Sequence, residues 1–87
     1  MKVLLNDINT LKEVVKVCNK YVDDVFATKG GYIVDAKSIL GLLSLDLSEE
    51  IELTIDTYRD STITNFYRDI KRCSMPEEKK ESRGFYA

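Results

Sequence analysis

The stretch VDAKSILGLLSLDLS, residues 34–48, decides the fold, because it carries the chain from the end of a strand into a very apolar segment. Six of the nine residues from Ile39 to Leu47 are aliphatic. A membrane-spanning helix needs about 20 apolar residues, so this run is too short to cross a bilayer. Ser38 is a good N-cap, and the segment therefore predicts a short helix of about two turns that begins after Ser38.

A helix at this point has two apolar sides. Ile39, Leu40 and Leu43 lie on neighbouring positions of one side, and Leu42 and Leu45 share another. A single sheet face cannot bury both sets. Either a neighbouring element covers the surplus, which makes a fully buried linker helix, or Ile39, Leu40 and Leu43 form an exposed patch of the kind that marks docking surfaces.

The flanking sequence supplies the other elements. In MKVLL, residues 1–5, the apolar residues Met1, Val3 and Leu5 share one face, which predicts a strand. Ile8 begins a run of apolar residues at helical spacing. The glycines of Lys29-Gly30-Gly31 favour a tight hairpin turn, and residues 49–57 alternate strictly between apolar and polar. The predicted elements are a strand at 1–5, a helix at about 8–20, strands near 22–28 and 31–36, the short helix, a strand at 49–57, and a helix from Asp60 or Ser61 to just before Pro76.

The strands that alternate have one apolar face, so helices should cover one side of the sheet and leave the other in water. The prediction is an α+β fold, an open-faced β-sandwich of order βαββαβα with a four-stranded antiparallel sheet. One domain of residues 1–75 fits the length. Residues 76–87 mix opposite charges without periodicity, and we expect them to form a charged tail without fixed structure.

Composition argues against several functions. A net charge of −2, with both signs mixed along the chain, offers no basic stripe for nucleic acid. The chain has two cysteines and no histidine, so we expect buried reduced thiols, no metal site, no cofactor and no enzymatic activity. The N-terminus lacks a signal-peptide core and an anchor, which predicts a cytoplasmic protein without a membrane partner.

Residues 19–55, NKYVDDVFATKGGYIVDAKSILGLLSLDLSEEIELTI, resemble HPr, the histidine-containing phosphocarrier family of the bacterial sugar phosphotransferase system. The resemblance is carried by the uninterrupted run from Lys37 to Leu45, which follows a glycine-turn hairpin. It is clear over residues 11–56, weaker to Cys73 and absent from the tail. It implies the HPr-like open-faced β-sandwich that the periodicity also predicts.

The chain departs from the family at the first helix. HPr proteins carry a Gly-aliphatic-His-Ala-Arg-Pro motif there, whereas this chain has LLNDINTLK, about three residues shorter. Counting back from Lys20-Tyr21 places the lost active-site histidine near Asp7 and the arginine near Asn9. We expect Asn6 or Asp7 to cap the helix; phosphorylation of the Asp7 carboxylate is the alternative.

The resemblance implies a second site at Ser38, because this serine matches the residue that an ATP-dependent kinase phosphorylates in Gram-positive HPr proteins and in their histidine-lacking relatives. The expected docking residues are Lys37, Ile39, Leu40 and Leu43. Protein partners of the family type would be an HPr-type serine kinase, a transcription regulator or a component of the phosphotransferase system. The alternative for Ser38 is a helix cap alone.

The sequence therefore predicts a non-catalytic HPr-like regulatory or protein-interaction module that is regulated at Ser38 and cannot transfer phosphate through histidine. The alternative is an HPr-fold interaction or oligomerisation domain without phosphorylation. A working phosphocarrier is opposed by the lack of histidine. The partner, the pathway, the oligomeric state and the role of the tail do not follow from the sequence.

Overall fold

Seven secondary-structure elements make up residues 1–74, the part of the chain that the computed structural model describes. Their order confirms the predicted βαββαβα arrangement. Residues 76–87, predicted to form a charged tail, lie outside the described residues. The elements are β1 (Lys2–Val3), α1 (Ile8–Cys18), β2 (Val25–Lys29), β3 (Tyr32–Asp35), α2 (Ile39–Leu43), β4 (Ile51–Ile55) and α3 (Asp60–Ser74).

The four strands form one antiparallel sheet in the order β1-β4-β2-β3. Ala27 of β2 lies opposite Leu53 of β4, and both are buried. Their neighbours Phe26 and Thr54 also lie opposite each other, but they are exposed. Because successive side chains of a strand point to opposite faces, one face of the sheet is covered and the other is open. The predicted open-faced sandwich is confirmed.

The strand boundaries are narrower than the alternation predicted. The hairpin turn is confirmed, since Gly30 and Gly31 have φ angles of 55° and 89°, which suit glycine. However, β2 begins at Val25 rather than at residue 22, and Val22 is exposed. Val25 is the first residue of β2 that pairs with β4, so the apolar character of Val22 alone does not make it part of the strand.

The apolar sides of α1 and α3 and the inner face of the sheet pack together and form one core. Leu11, Val14 and Cys18 of α1 are buried, as are Phe66 and Ile70 of α3. The expectation that Ile8 belongs to this buried side is wrong. Ile8 is the first residue of α1 and is 50% exposed, because it faces an open groove that it lines together with Leu43 and Leu47.

The loop that follows α1 is fixed by one aromatic residue. The ring of Tyr21 meets that of Phe66 edge-on, with 5.4 Å between the ring centroids. Its hydroxyl donates a hydrogen bond of 2.8 Å to Asp69 Oδ2 of α3. Partial burial and this carboxylate raise the pKa of Tyr21 to about 12. The phenol therefore keeps its proton to a higher pH than an exposed tyrosine, and its hydrogen bond ties the loop after α1 to α3.

We predict that stability depends on the Cys18 thiol at high pH. Burial, with a smaller contribution from Cys73, raises the pKa of this thiol from 9.0 to about 12. The unfolded chain loses the proton above about pH 9, whereas the folded chain keeps it to about pH 12, so this stabilisation is complete below pH 9 and disappears as the pH rises to 12. Urea unfolding across this range should show a loss of stability that is smaller in Cys18→Ala. Equal losses in both proteins would contradict the buried thiol.

Candidate functional site

Ser38 is the N-cap of α2. Its backbone is extended, with φ −111° and ψ 120°, and its side-chain oxygen accepts a hydrogen bond of 3.0 Å from the Gly41 N–H. The Ser38 carbonyl accepts from the Leu42 N–H at 3.0 Å, which closes the first turn. The predicted cap is therefore confirmed. Because Ser38 Oγ acts as an acceptor here, the hydroxyl proton is not used by the cap.

The loop before α2 is held by Asp35, the last residue of β3. Its carbonyl accepts from the Ser38 N–H at 3.1 Å, and its carboxylate accepts from the Lys37 N–H at 2.9 Å. Gly41 approaches the same carbonyl so closely that a Cβ at position 41 would lie 3.1 Å from the oxygen. A glycine at 41 thus lets the first turn of α2 lie directly against the end of the sheet.

Lys37 serves a different contact from the one its position beside Ser38 suggests. Its ammonium group donates a hydrogen bond of 2.7 Å to the Tyr21 carbonyl, just beyond the C-terminus of α1. Asn19 donates from its side chain to the Lys37 carbonyl at 3.1 Å and to the Val15 carbonyl at 2.9 Å. Lys37 therefore connects the Ser38 loop to α1. Its role in docking stays a prediction.

The two sides of α2 differ sharply in exposure. Leu42 is fully buried, and so, almost completely, is Leu45, which lies two residues beyond the end of the helix. In contrast, Ile39, Leu40 and Leu43 are 38%, 80% and 50% exposed. The alternative of a fully buried linker helix is therefore wrong. We call Ile39, Leu40 and Leu43 the α2 patch.

A shallow apolar groove of about 390 Å³ runs from the α2 patch to the start of α1. Leu43 is the member of the α2 patch that lines the groove, together with Leu47 and with Ile8 of α1. Apolar side chains supply most of its lining, so it extends the exposed apolar surface beyond α2. The lining residues are Leu5, Asn6, Ile8, Leu11, Leu43, Leu47 and Ser48.

Asp7 lies beside this groove as the N-cap of α1. Its carboxylate accepts from the Asn9 N–H at 3.1 Å and from the Thr10 hydroxyl at 3.5 Å. This geometry confirms that Asp7 caps the helix. Its equivalence to the lost histidine position stays a prediction.

Other kinds of site are not found in residues 1–74. No group of three or more histidine, cysteine, aspartate or glutamate side chains there is arranged to hold a metal ion. Within the same residues, no helix has the length and apolarity needed to span a membrane.

The family model described as the PTS HPr component phosphorylation site matches residues 10–62, more than half of the chain. The chain therefore belongs to the HPr family, as the resemblance predicted. The matched region contains Lys37, Ser38 and the whole α2 patch.

The HPr-like protein Crh of Bacillus subtilis strain 168 is 46% identical over 41 residues. This match spans 47% of the chain and 48% of Crh, so it covers about half the length of that relative. The structure is also similar to the crystal structure of selenomethionyl Crh, the Bacillus subtilis catabolite repression containing protein. The TM-score is 0.59 with 26% identity, over 86% of this chain and 88% of the other. That crystal structure is described as revealing unexpected domain swapping in an intertwined dimer.

The structure thus brings together two regions that are far apart in the sequence. The start of α1 and the α2 patch meet at one groove, and sequence reasoning missed Asn6, Ile8 and Leu47 as parts of it. Leu47 could have been suspected, since it extends the aliphatic run past Leu45. Ile8 gave no such signal, because its spacing matched the buried side of α1.

We predict opposite effects for two leucines of α2. Leu42→Ala should lower the free energy of unfolding by roughly 2–5 kcal/mol, as truncation of a buried leucine does. Leu40→Ala should change it by less than about 0.5 kcal/mol, because Leu40 is 80% exposed. Urea denaturation of both variants checks this, with Leu43→Ala as a second exposed position. A large loss for Leu40 and none for Leu42 would mean that the faces are reversed.

Proposed function

We propose that the chain is a non-catalytic regulatory module that binds protein partners through the α2 patch and is switched by phosphorylation of Ser38. The observation that carries this proposal is the position of a serine cap directly before an exposed apolar surface. Ser38 precedes Ile39 directly, so a phosphate on its oxygen would change the surface that a partner meets. Membership of the HPr family and the similarity to Crh support the same role.

Ser38 can serve both as a cap and as a phosphorylation site. The side chain is half-buried, and its hydroxyl proton is not needed by the bond from the Gly41 N–H. A phosphate adds about −1.5 to −2 charge. The Asp35 carboxylate, which accepts a hydrogen bond from the Lys37 N–H, opposes that charge mildly. We expect the domain to stay folded after modification.

The switch acts on binding through charge. A partner that presents arginine or lysine beside the α2 patch would gain charge-assisted hydrogen bonds from a phosphate on Ser38. A partner that presents carboxylates there would be repelled. The Lys37 ammonium is held by the Tyr21 carbonyl in the unmodified chain, so the partner must supply the positive charge.

The proposed partners are an HPr-type serine kinase, a transcription regulator or a component of the phosphotransferase system. The related Crh is described as a catabolite repression containing protein, so control of catabolite repression is the first pathway to test. The predicted cytoplasmic location and the absence of a nucleic-acid partner stay predictions.

The alternative is an HPr-fold interaction or oligomerisation domain that is not phosphorylated. The description of the Crh crystal structure as a swapped dimer favours it. In that case the Ser38 oxygen would serve the α2 cap alone. Labelling by a kinase separates the two functions, because the alternative requires none.

We predict that an HPr-type serine kinase with ATP adds one phosphate to Ser38. Ser38→Ala should abolish labelling and lower stability by about 0.5–2 kcal/mol, the usual cost of losing a cap. Ser44→Ala is the matched control, since Ser44 is an exposed serine at the other end of α2. Mass spectrometry of the intact chain and its peptides gives the result. If Ser38 stays unlabelled under conditions that label an authentic HPr, the regulatory proposal fails and the unphosphorylated interaction domain takes its place.

The same assay tests the α2 patch. Leu40→Ser should lower the kcat/KM of the kinase by about fivefold or more, as removal of an interface residue worth about 1 kcal/mol does. Tyr58→Ser is the control, because Tyr58 is fully exposed outside the patch. Equal rates for the two variants would remove the patch from kinase docking.

We also predict that the chain accepts no phosphate from phosphoenolpyruvate through the general phosphotransferase enzyme. The chain has no histidine, and the Asp7 carboxylate is engaged as a cap. Incubation with labelled phosphoenolpyruvate should leave it unlabelled while an authentic HPr is labelled. Label on the peptide that carries Asp7 would contradict this.

A further inference from the structure

β3 is an edge strand with a large exposed apolar surface. The sheet order places β2 on one side of it and no strand of residues 1–74 on the other. Tyr32 and Ile33 are 72% and 69% exposed. The opposite edge, β1, is only two residues long, so β3 is the longer free edge.

The hydrogen bonds of the sheet show which backbone groups of β3 face outwards. The Ala36 N–H donates to the Val25 carbonyl of β2 at 2.9 Å. In an antiparallel pair, residues alternate between bonding to the neighbouring strand and facing away. Tyr32 and Val34 therefore bond towards β2, and the N–H and C=O of Ile33 point to the open edge.

This edge has little of the usual protection against pairing. Natural edge strands are blocked by short length, charged side chains, proline or bulges, and β3 has the first of these, with four residues. Residues 32–34 are Tyr-Ile-Val, without charge or proline, and the pairing with β2 runs without a bulge from Phe26–Asp35 to Lys29–Tyr32. The first charged residue is Asp35, at the end of the strand.

We propose that β3 pairs with β3 of a second copy of this chain, antiparallel and centred on Ile33. The N–H and C=O of Ile33 would then bond to those of Ile33 in the second copy, since both groups point outwards in both copies. The two Ile33 side chains would meet on the open face of the sheet, beside Phe26, which lies on that face. The product is a continuous sheet of eight strands.

The same register explains why a second copy fits this edge. Tyr32 of one copy lies opposite Val34 of the other, so apolar side chains meet on both faces. Asp35 lies opposite Gly31, which keeps the two carboxylates apart. The net charge of −2 adds little repulsion between copies. This dimer does not depend on phosphorylation of Ser38.

Cysteine cross-linking of the full chain tests the register. Ile33→Cys in a Cys73→Ser background should form a disulfide-linked dimer under mild oxidation. The two positions would be about 5.5 Å apart between Cα atoms, within the range of about 4.4–6.8 Å that a disulfide spans. Thr54→Cys is the control, because Thr54 is exposed on the same face in a strand with neighbours on both sides. Cross-linking of Ile33→Cys no faster than of Thr54→Cys would overturn the proposal.

Sedimentation equilibrium without cysteine variants gives a second readout. The unmodified chain should show a mass that rises with concentration, and Ile33→Lys should abolish the rise because it places two like charges face to face. Leu40→Lys should leave the rise unchanged. A chain that stays monomeric would overturn pairing through β3. A dimer that persists in Ile33→Lys would also overturn it, and is the result expected from domain swapping of the kind described for Crh.

Discussion

The position of α2 depends on the close contact between Gly41 and the Asp35 carbonyl. This oxygen already accepts from the Ser38 N–H, and a Cβ at position 41 would lie only 3.1 Å from it. The cap from Ser38 to the Gly41 N–H holds the same turn from the other side. The end of β3, the Ser38 loop and the first turn of α2 are therefore held together by contacts to one carbonyl and one serine side chain.

These contacts hold in place a short helix that buries one side and exposes the other. α2 has five residues, and an isolated helix of that length is not stable in water. It is held by its cap and by burial of Leu42, while Leu40 remains in solvent. A modification at Ser38 would therefore act where the helix begins and where the exposed surface starts, which is a favourable place to control binding.

Much of the fold could be predicted because local patterns agree with the tertiary structure. Ile51, Leu53 and Ile55 alternate with polar residues, and they are the buried residues of β4. The two sides of α2 follow in the same way from spacing alone. Such patterns fix the type of each element and its inner side.

Features that depend on where elements meet could not be predicted. Ile8 has the spacing of a core residue, yet it is half-exposed and lines a groove with Leu43. Lys37 is adjacent to Ser38 in sequence, but its ammonium group lies on the Tyr21 carbonyl, a contact across 16 residues. Neither the groove nor this hydrogen bond can be predicted from the local spacing of apolar residues.

The most direct measurement is nuclear magnetic resonance of leucine methyl groups in the presence of a soluble gadolinium chelate. The chelate relaxes nuclei in proportion to their exposure to solvent. The structure predicts strong relaxation of the Leu40 and Leu43 methyl groups and weak relaxation of those of Leu42 and Leu45. A Leu42 signal relaxed as strongly as that of Leu40, or a Leu40 signal as protected as that of Leu42, would contradict the orientation of α2 on which the proposed surface depends.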